Sequence, residues 1–141
     1  MKKIFYIVAA ILPVLFACNS SDRQTTSTTS DNDIDAARNF IQAALVGDFE
    51  KAKGFMVKDS LSIGQLNAIE RLNERLTPQE KEKYKGASIR IHKDRKVNDS
   101  TSVVHYSNSY RNKVDSLKVI KVGDKWLVDF KFMLSKNDSL P

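Results

Sequence analysis

The sequence predicts an α+β fold, with helices first and a four-stranded antiparallel sheet after them. Three observations carry that expectation. From Asp33 to about Lys85 apolar residues recur every three or four positions, the period of a helix face. From Ile89 to Met133 they alternate, the period of a strand with one buried side. The alternating runs are joined by short turn-forming links such as Asn98-Asp99 and Gly123-Asp124, which make neighbouring strands antiparallel.

The N-terminus is of another kind. Lys2 and Lys3 precede an apolar run from Ile4 to Ala17 broken only by Pro13, the pattern of a secretory signal peptide. A bilayer-spanning helix needs roughly 20 apolar residues, and this run is shorter. The single cysteine of the 141 residues, Cys18, follows at once. Leu15-Phe16-Ala17-Cys18 resembles the lipobox of bacterial lipoproteins, with Phe16 where a small residue is usual. That resemblance implies that residues 1–17 are cut away, that the Cys18 thiol takes a diacylglyceryl group, and that its new amine is acylated. Each buried acyl CH₂ contributes about 0.8 kcal/mol, so two or three chains anchor a protein durably. The expected location is the cell envelope, at the outer rather than the inner membrane, with the domain outside the cytoplasm. Loss of the leader removes two of six net positive charges. Most of the remaining basic residues are scattered and no nucleic-acid motif occurs, so nucleic acid is not an expected partner.

Residues 18–32 form the lipidated N-terminus and a tether. Asn19 to Asp33 is rich in Ser, Thr and Asp and has no apolar residue with which to offset the entropy of ordering. Ile34, Ala37, Phe40, Ile41, Ala44 and Leu45 then mark the first helix, with Asp31 or Asp33 as its cap. Gly47 suits the left-handed residue that ends it. Asp48 caps a second helix carrying Phe49, Ala52, Phe55 and Met56 on one side. The third has Ser60 or Ser62 as cap and Leu66, Ile69, Leu72 and Leu76 as its stripe. Thr77-Pro78-Gln79-Glu80 is a capping box opening a short charged fourth helix.

Strict alternation in the first strand places Ile89, Ile91 and Val97 on one face, and Arg90, His92, Asp94 and Lys96 on the other. Thr101 to Tyr110 is the second strand, Val114 to Val122 the third, and Lys125 to Met133 the fourth. Trp126, Val128, Phe130 and Phe132 share one face of the last strand, the natural floor for the helices. On this reading Trp126→Ala costs more stability than any polar substitution.

Phe40-Ile41-Gln42-Ala43-Ala44-Leu45-Val46-Gly47-Asp48-Phe49-Glu50-Lys51-Ala52 and Val119-Ile120-Lys121-Val122-Gly123-Asp124-Lys125-Trp126-Leu127-Val128 resemble the nuclear transport factor 2-like superfamily. Within it the chain resembles small bacterial lipoproteins carrying domain of unknown function 4878. The resemblance covers about residues 33–133 and implies a domain at 33–135, with 136–141 as a tail. It further implies a cone, in which a curved sheet wraps the helices and leaves a pocket at the open end. Members include isomerases, dehydratases, binding domains and assembly modules, so the fold does not choose among them.

The residues supply no catalytic set. His105 shares the parity of Val103, whereas Tyr106, Asn108 and Tyr110 share that of Val104, so one strand cannot show both sets to a pocket. Asp129 has the parity of Lys131 and is expected to be an exposed carboxylate on the outer face. His92 lies among charged neighbours and is expected to be solvated. Two histidines without matched acidic partners make no zinc site, and no glycine-rich phosphate loop or serine elbow occurs, so neither metal nor cofactor is expected. The leading expectation is a non-enzymatic binding domain for a small ligand or an envelope protein, with Tyr106, Tyr110 and His105 as its contact residues. The alternatives are a small isomerase or dehydratase using His105, Asp129 and the tyrosines, and a module that pairs with a second copy through its sheet.

Overall fold

The computed structural model describes residues 29–131. Cys18, the leader, most of the tether, Phe132, Met133 and the tail lie outside the described residues.

Four helices precede four strands: α1 (Asp33–Leu45), α2 (Phe49–Gly54), α3 (Ser60–Glu74), α4 (Pro78–Lys85), β1 (Ile89–Asn98), β2 (Thr101–Asn108), β3 (Asp115–Val122) and β4 (Lys125–Asp129). The strands form one antiparallel meander in the order β1-β2-β3-β4. The α+β class and the antiparallel sheet are therefore as the periodicity indicates. β4 ends at Asp129 and β2 at Asn108, each earlier than the alternation suggested.

Local capping explains the helix ends. Asn32, not Asp31 or Asp33, caps α1, its side-chain oxygen accepting from the Asp35 N–H at 2.9 Å. Asp48 caps α2, accepting from the Lys51 N–H, and Gly47 makes the corner at φ 80°. Asp59 rather than Ser60 or Ser62 caps α3, because one carboxylate oxygen accepts from both the Leu61 and Ser62 N–H groups at 3.1 Å. Thr77 and Glu80 form the expected reciprocal box on α4.

The core lies between the helices and one face of the sheet. α1 touches every strand and buries Ala36, Ala37, Phe40 and Ile41 there. Val104, Leu117, Val119 and Val128 answer from the sheet, each fully buried. The segment after α2 closes the β4 edge: Met56 bridges Val128, the Val57 N–H donates to the Val128 carbonyl, and the Val128 N–H donates to the Phe55 carbonyl. β1 forms the other edge, and its exposed Arg90, Lys93 and Arg95 oppose strand pairing with another chain.

Strict alternation fails in β1. A register shift between Ile91 and Lys93 inserts one residue, so Ile91 pairs with Tyr106, Asp94 with Val104 and Lys96 with Ser102. Asp94 and Lys96 therefore join Ile89 and Ile91 on the helix-facing side instead of opposing them. There the carboxylate of Asp33, 2% exposed in the first turn of α1, accepts from both the Lys96 ammonium and the Ser102 hydroxyl. The contact joins the first helical residue to the middle of the sheet. Burial raises the Asp33 pKa, but the Lys96 and Ser102 hydrogen bonds, the Lys96 charge and the Ile34 N–H outweigh it and hold the pKa below 3.8. Asp33→Ala leaves the Ser102 hydroxyl buried without its partner and should cost about 1–3 kcal/mol. Because the folded pKa is the lower one, the ionic part is complete above 3.8 and is lost as pH falls through the folded value. The Tm gap between wild type and Asp33→Asn should accordingly narrow as pH is lowered past that range.

Candidate functional site

A cavity of about 410 Å³ opens between the C-terminal half of α1, α3 and the β2–β3 hairpin. Its size lies near the lower end of the roughly 300–1,000 Å³ typical of small-molecule sites. The inner wall is apolar, with Phe40, Ile41 and Leu45 from α1, Phe49 from α2, Leu66 from α3, and Phe130. Phe40 and Phe130 pack with their ring centres 5.3 Å apart and their planes tilted by 59°, side by side in the apolar wall. The stripe of α3 is divided: Leu66 is fully buried and belongs to the core, whereas Ile69 and Leu72 line the cavity and are exposed.

The hairpin supplies the polar end. Tyr106 and Asp115 are partners across the β2–β3 ladder, and both line the cavity. Asn108, Arg111 and Lys113 follow around the turn. Burial, reinforced by the Asp115 charge, pushes the Tyr106 phenol well above its ordinary value of 10.0. The hydroxyl is therefore protonated at neutral pH and able to donate, and among the described residues it has no hydrogen-bond partner. Asp115 accepts from the Ser116 N–H at 2.8 Å. Arg111 and Lys113 are exposed, and among the described residues neither forms an ion pair.

The three residues expected to make the contact surface are separated. Tyr106 is in the cavity. Tyr110 is not among its lining residues: β2 has ended, and its ring stands edge-on against the lining residue Tyr84 at 4.7 Å, with Lys83 above it at 5.7 Å. It is exposed, outside the lining. His105 lies on the opposite sheet face, where its Nδ1 shares a 2.8 Å hydrogen bond with Ser116. Asp129 shares that outer face but is buried, not exposed, because Lys118 reaches over it with its ammonium 3.2 Å from the carboxylate. His92, exposed on β1, engages the Ser107 hydroxyl at 2.8 Å. The pair His105 and Asp129 is thus outside the cavity.

Sequence reasoning missed Asp115, Arg111 and Lys113. Arg111-Asn112-Lys113 reads correctly as a turn, with Asn112 at φ 51°, and turn residues carry no parity from which to infer their direction. The partnership of Asp115 with Tyr106 depends on hairpin register, and the loop between them is too long for its length alone to fix that register.

Among the described residues no group of three or more His, Cys, Asp or Glu side chains is arranged to hold a metal ion, and no helix is long and apolar enough to cross a membrane. No protein-family model matches the chain, and no curated protein or solved structure is significantly similar to it.

Proposed function

We propose that the chain is a lipid-anchored envelope protein whose domain binds a small, largely apolar ligand in the cavity between α1, α3 and the β2–β3 hairpin. The observation that carries the ligand reading is the cavity, about 410 Å³ with an apolar inner wall and its charged groups all on the β2–β3 hairpin. The lipobox-like Leu15-Phe16-Ala17-Cys18, the basic leader and the polar tether support the anchor. Membership of the nuclear transport factor 2-like superfamily, among the lipoproteins carrying domain of unknown function 4878, is part of this reading and is supported by the sequence phrases at residues 40–52 and 119–128. The outer face, where Lys118 covers Asp129 and His105 is bonded to Ser116, offers a second copy a polar surface and makes self-association the weaker reading.

Anchoring is tested by Cys18→Ala, which should abolish incorporation of labelled fatty acid and leave an uncleaved precursor. Labelling that persisted in this variant would overturn the anchor.

One observation favours a second reading, a small isomerase-like enzyme. Asp115 and Tyr106 place a carboxylate and a protonated phenol side by side at the polar end, the pair needed to take a proton from a carbon acid and to hydrogen-bond the resulting oxyanion. The two readings part on turnover. A binding protein returns its ligand unchanged, whereas the enzyme would exchange a ligand proton for solvent deuterium and lose that exchange in Asp115→Asn.

A further inference from the structure

The geometry points to an amphiphile with one acidic head group as the class of ligand, its apolar body against Phe40, Leu66 and Phe130 and its anion held by Arg111 and Lys113. This inference rests on the ligand-binding reading above and specifies its chemistry.

Three features of the site carry it. First, charge is segregated: the helices give a wall that is apolar apart from Asn73 and the Tyr84 hydroxyl, and the charged lining residues Arg111, Lys113 and Asp115 all come from the β2–β3 hairpin. A ligand must therefore be apolar along most of its length and polar at one end. Second, the sign of that end is set. Two cations and one carboxylate line it, and among the described residues neither cation has an ion-pair partner. An anionic head group gains charge-assisted hydrogen bonds there, whereas a cationic one meets two like charges. The Tyr106 hydroxyl beside them can donate but, while protonated, cannot neutralise a cation. Third, the volume limits the body. At about 30 Å³ per water-sized group, the cavity holds roughly fourteen heavy atoms, enough for a ten-carbon acid and too few for a whole phospholipid. The head could belong to a free carboxylic acid or to a membrane phospholipid that dips one chain into the chamber.

Equilibrium binding of radiolabelled decanoate, decanol and decylamine to the full chain in neutral-lipid nanodiscs, with empty discs as the blank, separates these ideas. Decanoate should bind about tenfold more tightly than decanol, with decylamine weakest. The double variant Arg111→Gln and Lys113→Gln should bring decanoate down to decanol while leaving decanol unchanged, which also shows that the domain is intact. Discs doped with phosphatidylglycerol distinguish the sources: weakened decanoate binding identifies a membrane head group as the competitor, and unchanged binding identifies a free acid. Equal binding of decanoate and decanol, or a preference that survives the double variant, would overturn the acidic-head inference while sparing the cavity as a site. Binding of none of the three would overturn both.

Discussion

Phe55→Ala should lower the free energy of unfolding by about 3–5 kcal/mol, the largest stability loss expected from any substitution discussed here. Phe55 is 2% exposed and belongs to the central core cluster, so truncation removes an aromatic ring from a closed interior. It also sits where the chain covers the β4 edge, its carbonyl accepting from the Val128 N–H at 2.9 Å. Losing the ring loosens the segment that protects that edge. Against the roughly 5–15 kcal/mol typical of a whole domain, the change approaches the limit of what the fold tolerates. Trp126→Ala should cost less, since Trp126 is only half-buried at the rim, with the Lys96 ammonium 5.7 Å from its ring centre. Urea titration reports the difference as a lower midpoint at an unchanged slope. A loss below 1 kcal/mol for Phe55→Ala would mean that the core is not closed at this point.

Ala44→Trp should abolish ligand binding while keeping the fold. Ala44 is partly buried on α1 and lines the cavity, so an indole built there enters open space before it meets the opposite wall. Added bulk in a close-packed core costs about 1–3 kcal/mol, and the place of Ala44 on the cavity wall puts this substitution toward the low end. The position is remote from Phe55 in effect: Phe55 does not line the cavity, and Ala44 does not hold the β4 edge. Stability and binding should therefore respond to different substitutions, with a Tm for Ala44→Trp within a few degrees of wild type and no measurable ligand. Retained binding would place the site elsewhere.

The same residues show how far the sequence reaches. α1 and α2 were legible because their apolar periods coincide with clear punctuation at Gly47 and Asp48, and α4 because its capping box is reciprocal. The sheet was legible as four alternating runs. What failed did so for local reasons. The extra residue near His92 reversed the facing of Asp94 and Lys96, since a bulge leaves no mark in a polar strand. The α3 stripe looked like core because Ile69 and Leu72 have helical spacing, and spacing does not tell a wall that faces protein from one that faces a cavity. Among the candidate residues, parity correctly set His105 against Tyr106. It could not place Tyr110, which lies in a turn, or foresee that Lys118 covers Asp129.

The most direct test of the account is native mass spectrometry of the full chain purified gently from the cells that produce it, wild type beside Ala44→Trp. A single small-molecule mass on the wild type, missing from the variant, is the expected result. Wild-type protein that flies bare, or a variant that carries the same mass, would contradict the claim that this cavity is the working part of the protein.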